Sequence, residues 1–278
     1  MADDAFLRQS YDVYAGVEEQ FGQALEESLD PSGPGVLYDL VAGFGLPPCA
    51  AALDVGCGEG DDAIELARRF GLTVLGIDPV PRHIDVARAG LARAAEADPR
   101  LTGLVAFEQG KAGTLPAGDQ SADLLWCRDV LVHVDDLAGA YGEFRRVLRP
   151  GGRALIYQMF ATELLEPREA AWLLPTMGCA AANMRPDVTE AAITGAGLRI
   201  DECIVLGTEW GEYAEEHYGT GGRHLLHAAR LRRDPGRYIR QFGTANYDVA
   251  LGDCLWHISR MIGKLSGRSY LLSAPAST

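Results

Sequence analysis

The 278-residue chain is 47% hydrophobic and 23% charged, an ordinary globular composition with length for one large domain or two small ones. Its 25 Lys and Arg against 39 Asp and Glu leave a net charge of −14, a sign that repels nucleic-acid phosphates and anionic lipid headgroups, so neither is an expected partner. The acidic opening Met1-Ala2-Asp3-Asp4-Ala5 is unlike a basic secretory leader, and charges interrupt every apolar run before membrane-spanning length, which predicts a cytoplasmic protein with no membrane segment. Cys49, Cys57, Cys127, Cys179, Cys203 and Cys254 show no close ligand spacing, so neither a disulfide framework nor a metal site is expected.

Taken in chain order, Leu7, Tyr11, Tyr14, Phe21, Leu25 and Leu29 recur at helical spacing until Asp30-Pro31-Ser32-Gly33-Pro34-Gly35 ends the pattern. Val36, Leu37, Leu40 and Val41 then mark one face of a short second helix, and residues 1–48 are expected to form an N-terminal helical cap. From residue 49 to 206 short apolar runs alternate with amphipathic helices, the pattern of βαβ units around a mainly parallel sheet. The runs are Ala51 to Val55, Leu72 to Ile77, Leu104 to Phe107, Asp123 to Cys127, Ala154 to Met159 and Leu198 to Leu206. Between the fourth and fifth, Leu137, Tyr141, Phe144 and Leu148 predict a helix closed by Arg149-Pro150-Gly151-Gly152. The alternation then stops until Ser269-Tyr270-Leu271-Leu272. Residues 207–266 are therefore expected to be a helical lid or substrate insertion, and 267–278 a final strand and tail.

The segment Leu53-Asp54-Val55-Gly56-Cys57-Gly58-Glu59-Gly60 runs from a strand end through a glycine-rich turn into a helix over Asp61 to Phe70. A dinucleotide-binding GxGxxG would need glycine where Asp61 stands, and Asp54 would set a carboxylate against a pyrophosphate. The ammonium and sulfonium of S-adenosylmethionine would instead be attracted by that carboxylate. Asp78 ends the next strand, placed to accept both ribose hydroxyls. Together with Leu131-Val132-His133-Val134-Asp135-Asp136 and Phe144-Arg145-Arg146-Val147-Leu148-Arg149-Pro150-Gly151-Gly152, these segments resemble the class I S-adenosylmethionine-dependent methyltransferases, of the type acting on small molecules of secondary metabolism.

The resemblance implies a Rossmann-like, doubly wound seven-stranded α/β sheet with the last strand antiparallel, N-terminal helices, and a helical lid before that last strand. It implies cofactor contacts from Gly56, Cys57, Gly58 and Gly60 of the turn, from Asp54 near the ammonium, from Asp78 on the ribose, from Pro79 and His83 beside adenine, and from Cys127 at the fourth strand. Where many relatives place an acid for the adenine amino group, this chain has Lys111, which cannot accept a proton, so recognition falls to backbone groups near Ala112 or to another side chain. Tyr11 and Tyr14 are candidates to cover the cofactor, and the helix that carries them is one that homo-oligomers of such proteins can exchange.

The implied reaction is methyl transfer to a small apolar or cationic acceptor at oxygen or nitrogen, giving S-adenosylhomocysteine, with no metal and no covalent intermediate. His133, leaving the fourth strand, is the expected general base, because an imidazole can take a proton near neutral pH. Glu209 and His217, in an aromatic and acidic stretch before a glycine hinge at Gly219-Thr220-Gly221-Gly222, are the next candidates. Methylation of an alkene or aromatic carbon, with or without cyclisation, stays open, as does a non-methylating enzyme or a sensor that retains the cofactor.

Overall fold

The computed structural model describes residues 4–276, apart from the side chains of residues 9, 10 and 12–16. Helices α1 (Asp4–Leu25) and α2 (Val36–Ala42) precede β1 (Ala51–Val55), α3 (Asp61–Phe70), β2 (Thr73–Asp78), α4 (Pro81–Ala97), α5 (Leu101–Leu104) and β3 (Val105–Gln109). Then come β4 (Ala122–Arg128), α6 (Leu137–Val147), β5 (Leu148–Ala161), α7 (Pro167–Thr176), α8 (Pro186–Gly195) and β6 (Arg199–Gly207). Four helices, α9 (Glu209–Tyr218), α10 (Thr220–Arg233), α11 (Pro235–Phe242) and α12 (Thr244–Met261), lead to β7 (Leu265–Ser273).

The strands form one sheet in the order β3-β2-β1-β4-β5-β7-β6, parallel except that β7 runs antiparallel to both β5 and β6. Strand alternation explains the two apolar layers. In β4, Leu124 and Trp126 enter one core while Leu125 and Cys127 enter the other; in β5, Leu155 and Tyr157 part in the same way from Ala154 and Ile156. The chain reverses its direction of travel across the sheet between β1 and β4, and a crevice opens there beyond the strands' C-terminal ends.

Several expectations are revised. Strand β5 begins at Leu148, six residues before the predicted Ala154, because Leu148 pairs with Ala122 ahead of a register shift at Ala122/Leu124. Strand β7 begins at Leu265, inside the stretch assigned to the insertion. The four-residue hinge contracts to Gly219 (φ 62°), which caps both α9 and α10, while Gly221 and Gly222 are helical. Among the described side chains of helix α1, Phe6, Tyr11, Phe21 and Leu25 are all exposed, Tyr11 at 74%, where a packed cap would bury them.

The insertion is anchored to the sheet by Trp210 of α9, buried and stacked on Tyr157 of β5 with ring centroids 4.0 Å apart. It also grips the segment between α1 and α2. Glu209 accepts the Ser32 backbone N–H at 2.9 Å, Ser28 donates to Glu216 at 2.8 Å, and the Tyr213 ring lies so close to Gly33 that a Cβ there would meet it at 2.7 Å.

Candidate functional site

A cavity of about 740 Å³ occupies the crevice above β1, β2 and β4, within the size range of small-molecule sites. One wall starts from the turn after β1. Gly56, Gly58 and Gly60 take φ values of 76°, 51° and 90°, and a Cβ on Gly56 would meet Val130 at 2.1 Å, so the chain passes there only as glycine. The turn's amides are already engaged. Gly56 and Cys57 both donate to the Ile77 carbonyl (2.7 and 3.0 Å), Gly58 donates to Asp78 Oδ2 (3.1 Å) and Gly60 to the Cys57 carbonyl (2.9 Å). With these four amides turned inward the turn is poorly suited to a phosphate, and its acid surroundings suit a cation.

Asp78 is nearly buried, and its carboxylate is held in place by three donors. Val80 N–H (2.9 Å) and His83 Nδ1 (3.1 Å) reach Oδ1, and Gly58 N–H reaches Oδ2. A carboxylate has about four acceptor positions, so it retains capacity toward the cavity that it lines. Pro79, His83, Lys111 and Ala112 continue this wall, with Ala112 buried and Lys111 exposed.

Four predicted contacts are not on the cavity surface. Gly60 packs against Phe107 and Ala87, Cys57 is buried with its thiol toward the Gly58 carbonyl, and Cys127 is fully buried in the opposite core. Burial pushes both thiols well above the usual range, which leaves them as packing groups. Asp54 lies beneath the turn with its Oδ2 unpartnered among the described residues. Burial first, then the charge of Asp62, drives the Asp54 carboxyl well above its ordinary range, with Arg128 and the Ala63 amide opposing. The unpartnered Oδ2 is an acceptor that an ammonium group at the turn would complete, so the residues present fit S-adenosylmethionine.

The facing wall is the end of β4. Arg128 is held by Asp62 at 3.0 Å, and Asp62 also receives Tyr38 Oη (2.5 Å) and Trp126 Nε1 (3.2 Å), while the Tyr38 and Trp126 rings stack. Asp129 follows in left-handed backbone (φ 56°), its N–H donating to the Tyr157 carbonyl at 2.9 Å. It is exposed to the cavity yet surrounded by protein, and burial raises its pKa to about 6 against the opposing charges of Arg128, Arg260 and His133.

His133 ends a 3-10 turn, Leu131–His133, and lines the same cavity. Its Nδ1 lies 3.0 Å from the Gly178 carbonyl, which can only accept, so Nδ1 carries the proton and Nε2 keeps its lone pair. Asn183 fastens this turn by donating to the carbonyls of Leu131 (2.8 Å) and Val134 (2.7 Å).

The remaining candidates stand elsewhere. Glu209 is spent on Ser32, and His217 is stacked on Tyr213 with Nδ1 at the Tyr213 carbonyl; neither lines the cavity, because α9 binds the α1–α2 segment instead. Glu209 and His217 thus stand apart from the crevice that holds Asp78 and His133. The Tyr14 side chain lies outside the described residues. Asp129 was missed in sequence; its only local signal is a polar pair, Arg128-Asp129, just beyond a buried strand. Asn183, some fifty residues after the turn it holds, carries no local signal at all.

Comparison with known proteins agrees with this geometry. Residues 53–156 match a family model described as a methyltransferase domain. The sterol 24-C-methyltransferase ERG6B of Gibberella zeae is 33% identical over 143 residues, 51% of this chain but only 36% of that protein's length. Methyltransferase GfsG of Streptomyces halstedii is 29% identical over 218 residues, 72% of this chain and 76% of the relative. Among solved structures, the [4+2]-cyclase SpnF superposes with a TM-score of 0.68 over 97% of this chain and 96% of its own, at 20% identity, a likeness of fold alone. No helix among the described residues is long and apolar enough to cross a membrane.

Proposed function

From the match of residues 53–156 to a methyltransferase domain, we propose that this chain is a class I S-adenosylmethionine-dependent methyltransferase that methylates a small organic acceptor at oxygen or nitrogen. The observation that carries the reading is one cavity with two unlike walls: a fixed acceptor carboxylate, Asp78, on the first, and a proton acceptor, His133, beside Asp129 on the second.

Asp78 would hold the ribose hydroxyls, Asp54 would lie toward the ammonium, and the segment Pro79, His83, Lys111 and Ala112 would flank the adenine. When bound, S-adenosylmethionine supplies the methyl group and leaves as S-adenosylhomocysteine. His133 Nε2 takes the proton from the acceptor's hydroxyl or amine, with Nδ1–H anchored on Gly178 and the turn anchored by Asn183. The Asp129 carboxylate orients a hydroxyl donor or a cationic amine beside it, and Val130 and Val134 supply apolar wall. These groups suit an apolar or cationic acceptor in a core spanning residues 49–206, with residues 207–266 bracing that core from the β5 side.

The test is incubation of the chain with S-adenosylmethionine and a panel of small phenols and amines, with mass analysis of the products. The reading expects S-adenosylhomocysteine together with an acceptor heavier by one methylene equivalent, and turnover about 10²–10⁴-fold lower in His133→Asn. A rearranged product with no added methylene would overturn it. So would undiminished turnover in the variant, which would turn the reaction toward a carbon acceptor that needs no base.

A further inference from the structure

The inserted helices bring together a second group of reactive side chains that line no part of the cavity described above: His224 of α10 with Asp253 and His257 of α12. Asp253 and His257 stand four residues apart on one face of α12, and α10 packs along that helix. The two imidazoles stack with centroids 4.1 Å apart and planes 20° from parallel. Both turn Nε2 toward one carboxylate, His224 at 3.8 Å from Oδ2 and His257 at 3.7 Å from Oδ1 of Asp253. Each separation is too long for a hydrogen bond, so the three groups converge without satisfying one another.

The outer side of the cluster is prepared for a ligand. His224 Nδ1 lies 2.6 Å from the Thr220 carbonyl, which can only accept, so that nitrogen is protonated and the Nε2 lone pair points at the cluster. A carbonyl on the far nitrogen is the arrangement that fixes tautomer and ring direction in metal-ligating histidines. All three donor atoms lie within 4.8 Å of one another. A tetrahedral ion with bonds of about 2.0–2.2 Å needs its donors roughly 3.4 Å apart, so closure takes a few tenths of an ångström at the two imidazole–carboxylate separations of 3.7 and 3.8 Å and at most about 1.4 Å at the widest donor pair, a side-chain rotation on each helix.

We propose that His224, Asp253 and His257 form a binding site for one divalent transition-metal ion of the zinc class, fastening α10 to α12. Two imidazoles and a carboxylate favour Zn²⁺, Co²⁺ or Ni²⁺ over Mg²⁺ or Ca²⁺, which take oxygen donors. Asp253 is half exposed, which gives an ion entry from solvent and leaves the fourth position to water. Arg260 follows His257 by one turn on α12 and lies over the Trp210 ring at 5.5 Å, and its charge is one of those acting on Asp129, so an ion at the cluster would brace the helix that carries this arginine.

The test uses the full chain, stripped with chelator, titrated with Zn²⁺ by calorimetry and with Co²⁺ by visible absorption. The site predicts one equivalent bound, a higher thermal midpoint with metal, and a cobalt spectrum without a thiolate charge-transfer band. His224→Ala and His257→Ala should each weaken binding roughly 100-fold or more, and Asp253→Asn, which preserves side-chain shape, should do the same without loss of helicity. Excess Mg²⁺ should not compete. The absence of a bound equivalent, or one retained in the His224→Ala/His257→Ala double variant, would overturn the site.

Discussion

Asp129 combines two features that proteins keep where function over-determines them: a left-handed backbone at a non-glycine residue and a carboxyl made hard to ionise by its surroundings. With a pKa near 6 in the folded chain, above the ordinary carboxylate value, its ionisation disfavours the folded state. The folded form holds its proton where the unfolded form has released it, so this contribution falls as pH rises from about 4 to about 6 and stays low above that range. Asp129→Asn, whose amide also tolerates positive φ, should therefore raise the thermal midpoint at pH 7–8, with the gain shrinking toward pH 4, while turnover drops. Melting curves across that range together with assay at pH 7.5 check both signs. In the unmodified chain, turnover should decline as pH falls through about 6, where the carboxylate is lost.

Residue placement was legible where the chain itself sets the spacing. Asp78 ends a strand and His133 follows another at fixed distance, so their meeting across one crevice is a consequence of parallel-sheet topology. The placement of Glu209 and His217 was not legible, because composition cannot say which way a helix turns; α9 gives those groups to Ser32 and Tyr213. His224 and Asp253 lie 29 positions apart and meet only through the packing of α10 on α12, which is why close-spacing rules missed the cluster.

At the scale of elements, the 3-10 turn carrying His133 has little structure of its own and depends on Asn183. Asn183→Ala leaves two carbonyls without their donor, a cost of about 1–3 kcal/mol. Because the amide touches the turn and not the Asp78 wall, kcat should fall while S-adenosylmethionine affinity stays near its original value; steady-state kinetics paired with calorimetry separate the two. A loss of affinity as large as the loss of kcat would mark Asn183 as a general packing residue. Where the α1–α2 segment meets α9, Gly33→Ala sets a methyl against the far end of the Tyr213 ring, which can swing outward, and should cost less than about 1 kcal/mol in denaturant unfolding. The strands were legible because central ones are apolar throughout. The start of β5 was not, since Arg149-Pro150-Gly151-Gly152 reads as a turn while Leu148 already pairs with Ala122.

For the whole molecule, the described apolar side chains of helix α1 lie at the surface: Phe6, Tyr11, Phe21 and Leu25 are exposed and none of them joins the buried core clusters, so removal of residues 4–25 should lower the thermal midpoint by no more than a few degrees. The helical period of this segment was plain in the sequence, but periodicity does not reveal whether a neighbour exists to cover the apolar face.

The central claim is that the crevice takes a cationic nucleoside donor through Asp78 and the glycine turn beside it. Calorimetric titration of S-adenosylmethionine, S-adenosylhomocysteine and NAD into the chain and into Asp78→Ala tests it most directly. Loss of a charged acceptor for ribose hydroxyls costs about 1.5–3 kcal/mol per bond, so the variant should bind both adenosyl ligands at least about 10-fold more weakly, and NAD should bind neither protein measurably. Equal affinity of the two proteins for S-adenosylmethionine, or NAD binding as tight as S-adenosylmethionine, would contradict it.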